Sequence, residues 1–210
     1  MFKNNFSSCI IFFLSVMLIL VFSGCANTKG AEERVREEIE SFKNRSAGDT
    51  YFDSEIHTQG IFQFADPEVM AKHKDEAVNL LFELMREELS YDIISAKKTA
   101  RDEVTVSVEV TNIDMYRYMD NYVNGLSLYL EKAVDAKKDS KKDIQEKSIV
   151  FLMDYLRSSR GELITITTDI VVIKDNGEWL ISNRDDLLNA LSGNLLIWQE
   201  GAMEKFGGDK

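Results

Sequence analysis

Residues 162–181 read Glu-Leu-Ile-Thr-Ile-Thr-Thr-Asp-Ile-Val-Val-Ile-Lys-Asp-Asn-Gly-Glu-Trp-Leu-Ile. Asn176-Gly177 is the dipeptide that a type I′ turn requires, because both central residues need positive φ. With those two as the loop, Asp175 faces Glu178, Ile173 faces Leu180 and Val172 faces Ile181. The alternation of a strand then puts Ile164, Ile166, Ile170 and Val172 on one face with Trp179 and Ile181. Thr165, Thr167 and Asp169 take the other face, which turns apolar at Val171, Ile173 and Leu180 near the turn. Thr168 is the one polar interruption of the apolar face. A strand from Glu162 to Lys174 spans 13 residues, long enough that a bulge or strong bend is expected.

The preceding sequence supplies the partners. Val104, Val106, Val108 and Val110 alternate with Thr105, Ser107, Glu109 and Thr111, which predicts a strand with one buried and one wet face. A parallel strand would be apolar on both sides, so the sheet reads as antiparallel. Tyr91 to Ala96 predicts a short strand before it, joined by a polar turn from Lys97 to Asp102. The fold class is therefore α+β, with a curved antiparallel sheet of about four strands wrapped around helices.

Helices fill the rest. Val35, Ile39 and Phe42 form an apolar stripe on a helix from Ala31 to Asn44. Residues 45–65 carry Tyr51, Phe52, Ile56, Ile61, Phe62 and Phe64, too aromatic for a free loop. Asp66-Pro67-Glu68 is a helix start, with Asp66 as N-cap and Pro67 at the first position. The continuation from Asp75 to Leu89 bears Ala77, Leu80, Leu81, Leu84 and Leu89. Residues 113–160 form a helical insertion between the second and third strands: Met115, Met119, Tyr122, Leu126 and Tyr129 recur at helical spacing, Asp135 to Lys147 reads as a solvated charged connection, and Ile149 to Leu156 resumes an apolar helix. Asp185 to Leu191 is a short closing helix stopped at Gly193, and residues 196–210 form a tail.

The first 24 residues read as a processing signal: Lys3, then thirteen nearly all-apolar residues from Ile10 to Phe22, then Ser23-Gly24. Cys25 follows directly. Two other outcomes fit the same segment: retention from Phe6 to Cys25 as a membrane-spanning anchor, or cleavage near Ala26 to a free product. All three place the body outside the cytoplasm. The other cysteine, Cys9, lies inside the signal, so the remaining domain has no disulfide and depends on its core. Residues 25–30 form a polar tether of at most about 20 Å, and residues 31–195 one domain, ample for a core. The formal charge is −11; loss of Lys3, the one charged residue of the signal, makes it −12. An acidic body is repelled by an anionic bilayer and does not suit nucleic acid, whose binders carry basic patches.

Ser23-Gly24-Cys25 resembles the lipobox of bacterial lipoproteins, departing from it at Phe22, where Leu is usual. The valine strand and the terminal Ile-Lys-Asp-Asn-Gly-Glu-Trp-Leu-Ile, followed by Leu187-Leu188-Asn189-Ala190-Leu191-Ser192-Gly193, resemble the nuclear-transport-factor-2-like (cystatin-like) cone of uncharacterised small lipoproteins from Gram-positive bacteria. The resemblance implies acylation, by palmitate or a similar chain, at Cys25, and a lipid anchor on the extracytoplasmic face of the cell membrane. It transfers no activity, since the same fold hosts enzymes, adaptors and binders.

No catalytic constellation stands out. His57 and His73 lack metal-ligand spacing, and no Gly-x-Ser-x-Gly, P-loop or Gly-rich dinucleotide fingerprint occurs. Asp53, Glu55 and His57 would share a face of an extended segment and form an acid–base set; the plainer reading is surface residues beside an aromatic packing segment. The Met–Tyr stripe, with Met119 and Tyr122, can line a pocket or simply be core. Thr168 is where a cone interior would offer a hydrogen bond to a ligand. The expectation is a non-enzymatic binding or interaction module without cofactor or metal. Its partners would be the bilayer, through Cys25, and an envelope protein or small apolar or amphipathic ligand. An extracytoplasmic enzyme and an envelope sensor subunit are the alternatives.

Overall fold

The computed structural model describes residues 28–44, 67–135 and 138–206. Among these, the chain runs through α1 (Lys29–Asn44), α2 (Pro67–Glu87), β1 (Ser90–Ala100), β2 (Glu103–Ile113), α3 (Met115–Ala133), α4 (Lys141–Ser158), β3 (Leu163–Asp175), β4 (Glu178–Ile181), α5 (Arg184–Leu191) and α6 (Leu195–Phe206). The four strands form one antiparallel sheet in sequence order, β1-β2-β3-β4.

The β3–β4 hairpin has the register that the turn dictates. Val172 pairs with Ile181, Ile173 with Leu180 and Asp175 with Glu178. Asn176 and Gly177 take φ of 49° and 93°, as a type I′ turn demands. The irregularity expected in β3 lies elsewhere. β3 pairs with β2 without interruption from Leu163 to Ile173, and the register shifts fall in β1, at Ile93/Ser95 and Lys98/Ala100. An edge strand keeps register on one side only, so an extra residue is accommodated there with the least lost pairing. β1 is also longer than its apolar run. Lys97 and Lys98 continue the ladder opposite Thr105 and Val104, leaving Arg101-Asp102 as the turn. Lysines are tolerated on an edge because solvent reaches them.

One face of the sheet is dry. Val104, Val106, Val108, Val110, Ile170 and Val172 are buried, and α1, α2 and α5 cover them. α1 contributes Ala31, Val35, Ile39 and Phe42, and α5 contributes Leu187, Leu188, Ala190 and Leu191. Each Val, Leu, Ile or Phe among them stabilises the fold by roughly 1.5–3 kcal/mol when taken out of water. α1 starts at Lys29, two residues earlier than its stripe indicates. The Thr28 carbonyl accepts the amides of Ala31 and Glu32, and its hydroxyl donates to the Glu32 carboxylate at 3.0 Å. α1 crosses β4 with Gly30 against the Trp179 indole, where a Cβ would stand 2.5 Å from Nε1.

The insertion departs most from its sequence reading. α4 begins at Lys141, inside the charged run expected to be a loop. A capping box makes the difference: the Ser140 hydroxyl accepts from the Asp143 amide and the Asp143 carboxylate accepts from the Ser140 amide. Along its outer side α4 pairs with α2 through Lys142–Glu68, Glu146–Lys72 and Arg157–Glu76, and Arg160, just past its end, pairs with Glu87. α2 runs unbroken from Pro67 through the stripe that begins at Ala77, as the helix start and its continuation indicate. The tail is structured too: α6 packs on α3 and α5.

α3 and β2 meet α5 at a tight junction. Gly193, at φ 58°, offers its carbonyl to the amides of Met115 (2.8 Å) and Tyr116 (3.3 Å), capping the first turn of α3. The buried Asn112 amide donates to the Leu191 carbonyl at 2.5 Å, and its oxygen accepts from the Ile113 amide at 2.8 Å.

A candidate binding groove between α3 and α6

Tyr116, Asp120, Val123 and Asn124 lie at i, i+4, i+7 and i+8 on α3 and so share one side of it. Across from them α6 presents Trp198, Gly201 and Ala202, and the two helices enclose a groove of about 230 Å³. The groove exists because α6 is docked at one end and slim at the other. Leu195 is fully buried and Trp198 packs on the core, while Gly201 has nothing within 4 Å of the place a Cβ would take. The Trp198 indole N–H donates to Asp120 Oδ1 at 3.1 Å, which fixes the ring and leaves the second carboxylate oxygen for another donor. Among the described residues no lining side chain is basic. A carboxylate and an amide on one wall and an indole on the other suit a small molecule that carries a cationic or donor head on an apolar body.

Met119, Tyr122, Thr168 and His73, the described residues singled out from sequence, lie outside this groove. Met119 and Tyr122 sit on the neighbouring, buried side of α3. Tyr122 packs with its ring 5.9 Å from Phe151 and 5.8 Å from Tyr155, in a cluster that Tyr118 (4.9 Å from Tyr155) and Tyr129 (4.8 Å from Phe151) extend. The tyrosines of the stripe thus lie in the seam between α3 and α4. Burial pushes the Tyr122 phenol up to about 12. Burial, with the neighbouring Tyr155, also raises Tyr118, whose hydroxyl donates to the Tyr155 carbonyl at 3.1 Å. Thr168 is half-buried on the inner sheet face, opposite Val108 and between Ile166 and Ile170 along its strand. Cys25, Asp53, Glu55 and His57 lie outside the described residues. His73 sits on the α2–α4 seam, its Nε2 3.7 Å from Glu146 Oε1, beyond hydrogen-bond length. Among the described residues no group of three His, Cys, Asp or Glu side chains could hold a metal ion, and no helix is long and apolar enough to cross a membrane.

The sequence reading missed the groove and the pairing of the buried Glu38 with Arg34 and Arg184. Asp120 and Asn124 had a signal, being polar positions beside the Met–Tyr stripe, but only the docking of α6 supplies the opposite wall. No family model and no curated protein matches the chain. Among solved structures it is similar to ycdA of Bacillus subtilis subsp. subtilis str. 168, described as a candidate lipoprotein, at 17% identity and a TM-score of 0.43. The match covers 65% of this chain and 44% of that one, so the chain spans less than half the length of that protein.

Proposed function

We propose that this chain is an extracytoplasmic lipoprotein, held at the membrane by acyl chains on Cys25, whose α+β body is a non-enzymatic binding module. The observation that carries the reading is the order of Lys3, the apolar run Ile10 to Phe22 and Ser23-Gly24-Cys25. Helices packed on one face of an antiparallel sheet, with β2 and β3 joined through two helices, support the cystatin-like cone as the fold of that body. The α3–α6 groove is its ligand site. Asp120 and Asn124 would hold the polar head of a small amphipathic ligand and Trp198 its apolar body.

Metabolic labelling with a fatty-acid analogue tests the anchor. The wild-type chain takes up label and fractionates with membranes, and Cys25→Ala does neither. Equal label in both would overturn acylation at this position.

A further inference from the structure

The two long edges of the sheet are built differently. β1 carries two register shifts and Lys97 and Lys98, devices that keep an edge from pairing with another strand. β3 has neither. β4 covers it only from Val172 to Asp175, and Asn183 ends the ladder in place of a strand. Its side-chain oxygen accepts from the Val171 amide at 2.7 Å and its amide donates to the Asp169 carbonyl at 2.9 Å, while the Ser182 amide reaches the Val171 carbonyl at 2.8 Å. Odd-numbered residues of β3 therefore turn their backbone groups away from β2. By alternation Leu163, Thr165 and Thr167 do the same, and among the described residues nothing pairs with those groups. The open stretch, Leu-Ile-Thr-Ile-Thr-Thr from 163 to 168, is uncharged, free of Pro and Gly, and β-branched at all but its first position. That composition marks strands that add to other strands.

We infer that Leu163–Thr168 of β3 is a self-association edge, on which a second copy of this chain pairs antiparallel about a two-fold axis at Thr165. The partner follows from charge and register. A chain of net charge −11 repels its own copies, so self-contact is confined to an uncharged strip. In this register Thr165 faces Thr165 of the second copy, and Leu163 faces Thr167 in both directions. Glu162 and Asp169 fall opposite Thr168 and Gly161 rather than each other, so no like charges meet. Three outward-facing residues per copy give about six backbone hydrogen bonds. The two-fold axis closes the contact, and Asn183 and the bulged β1 edge prevent further strand addition.

Cysteine cross-linking in membranes of cells expressing the full chain tests the register. In a Cys9→Ser background, Thr165→Cys forms a disulfide-linked dimer on mild oxidation, because directly paired residues lie within disulfide reach. Thr167→Cys, displaced from the axis, and Thr105→Cys, on β2 away from the edge, do not. Light scattering of the detergent-extracted chain reads the assembly itself: the wild type has twice the mass of Thr165→Lys, which sets two ammonium groups against each other on the axis. Thr165→Pro, which removes a donor that β2 does not use, gives the same twofold drop. A monomeric wild type, or equal cross-linking at positions 105 and 165, overturns the inference. Neither readout involves the groove or its ligand.

Discussion

Arg184 at the start of α5 reaches across to α1 and places both Nε (3.0 Å) and Nη2 (2.6 Å) on one carboxylate oxygen of Glu38. The other oxygen accepts from Arg34 at 2.9 Å. Glu38 is only 6% exposed, so its charge is viable only while the two guanidiniums neutralise it. The cluster locks α1 to α5, two of the three helices that cover the sheet.

Replacing Glu38 by Gln should therefore destabilise the protein by about 1–3 kcal/mol, below the range for fully buried pairs because both arginines are partly exposed and can rehydrate. Arg101→Ala is the control: Arg101 is 95% exposed at 4.0 Å from Asp102 and should change stability by less than about 0.5 kcal/mol. Urea unfolding followed by circular dichroism measures both. Equal midpoints for the two variants would refute the structural role of the cluster.

Gly193 carries two constraints at one position. Its φ of 58° disfavours a side chain, and a Cβ would stand 1.8 Å from the Ile113 carbonyl oxygen. Gly193→Ala should destabilise by more than about 2 kcal/mol, combining backbone strain with overlap. Gly177→Ala has the same kind of φ, 93°, with nothing within 4 Å, and should cost only about 1 kcal/mol. A comparable loss in both variants would mean that the close approach at Ile113 contributes nothing.

These two positions show where sequence reasoning holds and where it stops. The hairpin at Asn176-Gly177 and the valine face of β2 were legible because turn chemistry and two-residue alternation are local. Gly193 was legible as a helix stop, but its role in capping α3 depends on a contact with residues 113–116, far away in sequence. The start of α4 was hidden by its lysines, since a charged stretch reads as a loop unless Ser140 and Asp143 are recognised as reciprocal caps. Glu38 looks like any other acid on a polar helix; only Arg184, 146 residues later, makes it interior. The groove needed α6, whose apolar residues at 195–198 gave no clue to what they would dock against.

Burial of Tyr122 gives an alkaline signature. Its phenol is raised from 10.0 to about 12 in the folded chain, so the neutral form is favoured by folding. Stability from this group is complete below pH 10, the unfolded value, and falls as pH rises from there through about 12, by roughly 3 kcal/mol in all. Tyr122→Phe removes the ionisable group while keeping the ring stack with Phe151, so its stability should fall less between pH 10 and 12. Thermal midpoints across that window, with tyrosinate absorbance in parallel, make the comparison. Parallel loss in wild type and variant would show that Tyr122 titrates as an exposed phenol.

The groove predicts a preference rather than high affinity. Benzylamine pairs an ammonium with a ring small enough for about 230 Å³, and benzyl alcohol keeps the ring without the charge. Titration followed by the Trp198 indole N–H resonance should show benzylamine shifting that signal at lower concentration than benzyl alcohol. The bond from Trp198 to Asp120 makes this proton a direct reporter. Asp120→Asn should weaken benzylamine by about two- to fivefold, the range of one exposed ion pair, and leave benzyl alcohol unchanged. Trp198→Ala, read from the Asn124 amide instead, should weaken both, since it removes the wall that each ring lies on. If the alcohol binds as well as the amine, the carboxylate does not select the ligand, and the groove is simply a gap between two helices.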